Sequence, residues 1–270
     1  GHSPRYRMNE LTPLIPALLD IVRDAGKAIM EVYASDFDVQ SKEDKSPVTA
    51  ADMAAHRIIA ARLPDLLPAV PVLSEESGLP EYSERSQWQR YWLVDPLDGT
   101  KEFIKRNGEF TVNIALIDNH TPILGVVGVP AQEIEFYGGP GLGAFRCQAG
   151  GPTTPISVCK PAQTPVRVVG SRSHASEAVS AYLERLGEHE MVPMGSSLKL
   201  CVIAEGKADE AAAAVAAIPD LDGSRTQRSG AGFRATCFDE QGTAAVDDGT
   251  TREAVRVLDD NGTGRISGRR

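Results

Sequence analysis

The sequence predicts a mixed α and β protein, and three observations carry that prediction. Residues 11–33 place Leu11, Leu14, Ile15, Leu18, Val22, Ile29 and Val32 near helical spacing, as an amphipathic helix requires. Short runs rich in β-branched and aromatic residues recur at 70–73, 91–94, 109–117 and 123–129, as strands require. The chain has 270 residues, 41% of them apolar and 24% charged, enough for one large core or two modest ones.

Charge and cysteine content narrow the function. A net charge of −9 argues against a nucleic-acid polymer or an anionic membrane as partner. A phosphorylated metabolite remains compatible, provided metal ions neutralise its site. Cys147, Cys159, Cys201 and Cys237 are scattered without a Cys-x-x-Cys pair, so structural zinc is not expected. Reduced thiols in a cytoplasmic setting are the simpler account. No apolar run approaches the roughly 18 residues of a membrane span, so no integral membrane association is expected. Residues 1–7 are polar and do not read as a signal peptide.

In chain order, Pro13 and Pro16 fit the first turns of the opening helix or the turn before it. Residues 39–46 read as strand-to-loop, and a second helix runs to about residue 63. Thr49 and Asp52, three apart at its start, resemble a capping box. His56 reads as a packed or surface residue. The strand at 70–73 delivers Ser74, Glu75 and Glu76 at its end. The run 91–94 ends in Asp95-Pro96, which should break the strand and open a turn. Asp95 and Asp98 are then held close, and like charges at that range repel unless a cation lies between them. Hard oxygen ligands suit Mg²⁺. Gly99 and Thr100 offer backbone N–H groups and a hydroxyl to an anion where a helix starts. A solvated acidic turn is the plain alternative for this spacing alone.

Farther on, 109–117 and 123–129 form a hairpin, and 133–138 and 143–146 suggest two more strands. Gly138, Gly139, Gly141 and Gly143 read as hairpin-turn glycines, since no P-loop lysine follows. Residues 150–165 read as a linker, 166–169 as a strand, 170–174 as a polar loop and 175–186 as a surface helix. At 195–209 a small-residue turn leads into a helix carrying Lys199, either a solvated lysine or a phosphate or ribose contact.

The string from Asp95 to Phe103, Asp-Pro-Leu-Asp-Gly-Thr-Lys-Glu-Phe, preceded by Ser74-Glu75-Glu76, resembles the inositol monophosphatase superfamily. These are metal-dependent, lithium-sensitive phosphatases. Lys101-Glu102-Phe103 is similar to the bisphosphate nucleotidase branch, which serves sulfur metabolism by removing the 3′-phosphate of adenosine 3′,5′-bisphosphate. Residues 44–52, 170–174 and 195–199 also look like segments of that branch.

The resemblance implies an α/β (α+β) fold, the layered αβαβα sandwich of this superfamily with two sheet-containing halves. Residues 8–155 would form the metal-binding half, 156–217 a C-terminal α/β half and 218–270 an atypical tail. It implies two or three Mg²⁺ ions on Glu75, Asp95, the Leu97 carbonyl and Asp98. Asp52 and Thr100 would be catalytic, with Thr49 capping the helix that carries Asp52. Substrate would be met by Glu75, Asp98, Gly99, Thr100, Ser173, His174 and Lys199. The implied partner is a small phosphorylated nucleotide, and a homodimer is left open. An inositol- or sugar-phosphate substrate is the runner-up.

The similarity runs through about residues 10–209 and then stops. The superfamily's usual tyrosine-proline-arginine stretch and tryptophan-aspartate pair, the latter giving its remaining metal ligand, are missing. An alanine-rich run and Asp220-Leu221-Asp222 stand there instead, and no Lys, Trp or Tyr follows residue 210. Such a composition does not readily bury a core. The tail is expected to be either a change of reading frame or a true divergence in which Asp220 or Asp222 stands in, and the chain either an active phosphatase or a catalytically impaired nucleotide-binding homologue.

Overall fold

The computed structural model describes residues 10–35, 46–74, 76, 82–85, 87–119, 121–148, 150–159, 162–170 and 177–212, with five short strands between 217 and 266. The expected segment at 39–45 lies outside them.

A 3-10 turn, Thr12–Leu14, leads into helix α1, Ile15–Ala34, with a proline in the first turn of each. First-turn N–H groups have no helical acceptor, so prolines there cost little. Helix α2, Ser46–Leu66, begins three residues before the expected cap. Pro47 sits in its first turn for the same reason, so Thr49 lies inside the helix with an exposed side chain rather than capping it. Ala51, Ala55, Ile59 and Leu63, four apart, form its fully buried stripe.

Seven strands form the first sheet in sequence order: β1 Val72–Ser74, β2 Arg90–Asp98, β3 Thr111–Asp118, β4 Thr121–Val129, β5 Ile134–Gly139, β6 Gly143–Gln148 and β7 Thr153–Pro155. β1 pairs parallel with β2; every later pair is antiparallel. The glycines at 139–143 do close the β5–β6 hairpin, where Leu142 N–H donates to the Gly139 carbonyl at 3.0 Å. β7 corrects the linker expected at 150–165: Thr153 and Thr154 pair with Cys147 and Arg146, and Pro155 is tolerated because this is the sheet edge.

Helix α3, Thr100–Lys105, follows β2 directly. After the first sheet come β8 Val166–Gly170, α4 Glu177–Leu186, β9 His189–Pro193, α5 Leu198–Ala204 and β10 Glu210–Ala212. β8 to β10 make a parallel sheet in the order β10-β8-β9. Neither β9 nor β10 is expected from the sequence, one being polar and largely exposed, the other part of an alanine run. Arg167 ties this sheet to the chain behind α5. Its backbone N–H and Nε donate to Oδ2 of the fully buried Asp209 at 2.8 and 3.1 Å.

The packing is layered. α1 and α2 cover one face of the first sheet through Trp92, Val94, Val112, Ile114, Leu116 and Val126. On the other face Val127, Val129, Ile134 and Phe136 meet Leu198, Cys201 and Val202 of α5, and α5 also meets Val169 of β8. Val168, the next residue back, points the opposite way into Leu183 and Leu186 of α4. Helices, sheet, helix, sheet, helix is the αβαβα sandwich expected. Past β10, Ala217–Pro219 pairs with Thr226–Arg228, and Ala245–Asp247, Val255–Leu258 and Gly264–Ile266 form an antiparallel meander. Among the described residues, no helix is long and apolar enough to cross a membrane.

Candidate active site

β2 does not stop at Asp95-Pro96 as the sequence suggests; it continues to Asp98 through a bulge. Asp95 lies opposite Asn113 and Asp98 opposite Thr111, so three steps on β2 match two on β3. The extra residue has a consequence for the carboxylates. In a regular strand, residues three apart face opposite ways. The bulge returns Asp98 to the face of Asp95, because directly opposed partners share a face and Thr111 and Asn113 are two apart. Pro96 is tolerated there, since a bulged residue need not donate to the ladder. The face in question is the one turned toward α5.

Asp95 is buried and its Oδ1 accepts the Leu97 N–H at 3.2 Å. Asp98 is half-buried, and its Oδ2 accepts the Ser197 N–H at 2.7 Å. Gly99 caps α3 with φ 91°, in the left-handed region. A Cβ there would lie 3.0 Å from Ser196 Cβ and 3.3 Å from Phe110 Cα, so both backbone and space call for glycine. Thr100, the first residue of α3, is exposed. Asp95, Leu97, Asp98, Gly99 and Thr100 are thus one continuous strand end and helix start.

Asp52 comes from α2, which packs on β2. One turn on, His56 Nδ1 lies 3.0 Å from Ser74 Oγ at the end of β1, level with Val94. The residues at i and i+4 share a helix face, so Asp52 lies on the face of α2 that also carries His56. Lys199 is not the solvated lysine of the plain reading. It sits on α5 two residues beyond Ser197 and is only 7% exposed. Glu75, Ser173 and His174 lie outside the described residues. Among the described residues, no group of three or more His, Cys, Asp or Glu side chains stands in metal-holding array.

Five residues here were not anticipated as part of the site. Glu109, 7% exposed, accepts the Gly195 N–H at 3.0 Å, and its carbonyl accepts the Ser196 hydroxyl. That clasp holds Ser196 at φ 56°, unusual for a side-chain-bearing residue. Thr111, Asn113 and Ser197 join below it: Asn113 Nδ2 donates to Thr111 Oγ1 at 3.0 Å, Ser197 Oγ donates to Asn113 Oδ1 at 2.7 Å, and the two hydroxyl oxygens are 2.8 Å apart. The signal for Thr111 and Asn113 was two polar residues at period two inside an apolar strand.

A five-layer sandwich with paired aspartates at the bulged end of an interior strand defines a layered α/β protein with a candidate cation site. Within that class, the chain belongs to the inositol monophosphatase family, whose match spans residues 10–217. It is 52% identical over 197 residues to the 3′(2′),5′-bisphosphate nucleotidase CysQ of Escherichia coli K12, covering 72% of this chain and 78% of that one. The CysQ of Haemophilus influenzae is 34% identical over 197 residues, with 73% of each chain covered. Among solved structures, CysQ from Bacteroides thetaiotaomicron superposes with a TM-score of 0.71 at 32% identity, covering 93% of this chain and 96% of that one. SuhB of Mycobacterium tuberculosis, at 20% identity and a TM-score of 0.64 over 92% and 91%, shares the fold.

Proposed function

We propose that this chain hydrolyses the 3′-phosphate of adenosine 3′,5′-bisphosphate, leaving AMP and inorganic phosphate. The observation that carries the reading is the one-residue bulge that turns Asp95 and Asp98 to one face, in a chain 52% identical over 197 residues to a nucleotidase. The donor set fits a hard cation: two carboxylates from one strand end, with the Leu97 carbonyl between them and Glu75 next to Ser74 in sequence. Two or three Mg²⁺ ions held there would supply neutralisation of phosphoryl oxygens and a bound water of lowered pKa. Gly99 and Thr100 hold the phosphate through backbone N–H groups. Thr100 relays the proton lost by the attacking water to the Asp52 carboxylate. Ser173, His174 and Lys199 meet the nucleotide. The metal-binding half is residues 8–155 and the half closing on substrate is 156–217. Among the described residues, Cys147, Cys159 and Cys201 stand outside any disulfide, in keeping with a cytoplasmic setting.

The test compares phosphate release from adenosine 3′,5′-bisphosphate, inositol 1-phosphate and fructose 1,6-bisphosphate with Mg²⁺ present, with and without Li⁺. The reading expects the nucleotide to lead and Li⁺ to inhibit. Asp95→Asn should lower kcat by about 100-fold or more, the scale for losing a group that acts in the transition state. Near-normal turnover by that variant removes Asp95 from the site.

The end of the family match at residue 217 favours one second reading. If residues 218–270 supply no stand-in for the missing ligand, the chain retains nucleotide without turning it over. It then binds adenosine 3′,5′-bisphosphate in calorimetry but releases no phosphate at any Mg²⁺ concentration.

A further inference from the structure

The contacts among Thr111, Asn113 and Ser197 form a closed ring whose direction can be deduced. An amide NH₂ only donates and an amide oxygen only accepts. Asn113 therefore donates to Thr111, and Ser197 spends its hydroxyl proton on Asn113. At the 2.8 Å contact between the hydroxyls, Thr111 must then be the donor and Ser197 Oγ the acceptor. Each member gives one hydrogen bond and takes one, all in the same rotational sense. All three residues are at most 1% exposed, so water does not compete with the ring.

Two members lie on β3 of the first sheet, directly opposite Asp98 and Asp95. The third immediately precedes α5, in the layer between the sheets. Ser197 also donates its backbone N–H to Asp98 Oδ2 at 2.7 Å. The ring thus fixes the donor that fixes the carboxylate. With one site on Oδ2 engaged, the remaining lone pairs of the Asp98 carboxylate are left for a cation.

We infer that Thr111, Asn113 and Ser197 are positioning residues, a buried relay that sets the orientation of Asp98 from the α5 layer. The inference rests on the proposed phosphatase reading for its link to turnover, but not for its link to cation binding. Removing the ring's hydroxyl while keeping its volume leaves Ser197 and Asn113 to find other partners, and the Ser197 amide drifts from Asp98. Outer partners of this kind typically cost 10- to 100-fold in metal affinity or activity.

The experiment uses the full chain and three proteins: wild type, Thr111→Val and Thr111→Ser. Mn²⁺ binding is titrated by calorimetry without substrate, and kcat and KM for adenosine 3′,5′-bisphosphate are measured separately. Thr111→Val should weaken Mn²⁺ binding by ~10-fold and lower kcat by ~10- to 100-fold with KM changed less than threefold. Thr111→Ser, which keeps the hydroxyl, should restore both to within about threefold of wild type. If Thr111→Val lowers only the unfolding temperature, with Mn²⁺ affinity and kcat like wild type, the ring is mere packing and the inference fails while the phosphatase reading stands. If wild type releases no phosphate but Thr111→Val still weakens Mn²⁺ relative to Thr111→Ser, the inference stands and the phosphatase reading fails. A wild type that neither binds Mn²⁺ nor releases phosphate overturns both.

Discussion

Glu135 of β5 is 3% exposed and pairs through Oε1 with Arg23 of α1, while Oε2 is shut away without a hydrogen-bond partner. Burial pushes its carboxyl above the usual range, and the pairing with Arg23 only partly offsets this. The sign of the stability effect follows from linkage. Below the unfolded-state pKa both states hold the proton and nothing is lost. As pH rises through the folded-state value, the folded chain must bury a charge that the unfolded chain leaves in water, so stability falls. Glu135→Gln keeps an oxygen for Arg23 and cannot ionise. Urea midpoints for both proteins should show wild type doing best, relative to the variant, at acid pH and losing ground as pH rises. A flat or opposite trend assigns the pairing with Arg23 the larger effect. Neither this pair nor its consequence touches Asp95 or Asp98, so turnover per folded molecule should not follow the same curve.

The contact between α1 and the first sheet depends on Gly128 of β4. A Cβ built there falls 2.2 Å from Val22 Cγ1, a distance no packed pair tolerates. Gly128→Ala should force α1 off the sheet and cost about 1–3 kcal/mol, read by thermal unfolding. That close approach illustrates what the sequence conveys and what it withholds. The apolar stripe of α1 and the branched run of β4 are written in the spacing and composition of each segment, and both elements form near where expected. That a glycine in β4 answers a valine in α1 depends on tertiary register, which periodicity does not carry. The same division holds at the site. Asp95 and Asp98 were legible as a close pair, and Gly99-Thr100 as a helix start. The bulge was not, because Pro96 reads locally as a strand break while pairing with β3 decides otherwise. Thr111 and Asn113 stood out as polar residues in an apolar strand. Their partner Ser197 lies 84 residues beyond Asn113, in another layer, where only the fold could bring it. β7, β9 and β10 escaped because strands of three to five residues, polar or alanine-rich, are decided by their neighbours rather than their own composition.

At the scale of the molecule, α5 is the layer that makes two sheets into one folded unit. Leu198, Leu200, Cys201 and Ile203 belong to a single cluster with Val127, Val129, Ile134 and Phe136 of the first sheet and Val169 of the second. Shared burial of this kind links the two sheets energetically, since exposing the α5 side of one sheet exposes the other's as well. The tryptophans make the coupling measurable. Both, Trp88 and Trp92, lie at or beside β2, and Trp92 is buried in the cluster facing α1 and α2, on the far side of the sheet from α5. Leu200→Ala removes a side chain 2% exposed and should cost about 2–5 kcal/mol. Were the sheets independent, that loss would lower the circular-dichroism transition in part and leave tryptophan fluorescence where it was. With α5 as the common layer, the fluorescence midpoint in urea should fall by the same amount as the circular-dichroism midpoint, and the two curves should stay superimposed. A fluorescence transition that holds its wild-type midpoint in Leu200→Ala would mean that the first sheet stands without α5. The amide of Ser197, one residue before that helix, would then be free to leave Asp98 without unfolding the chain.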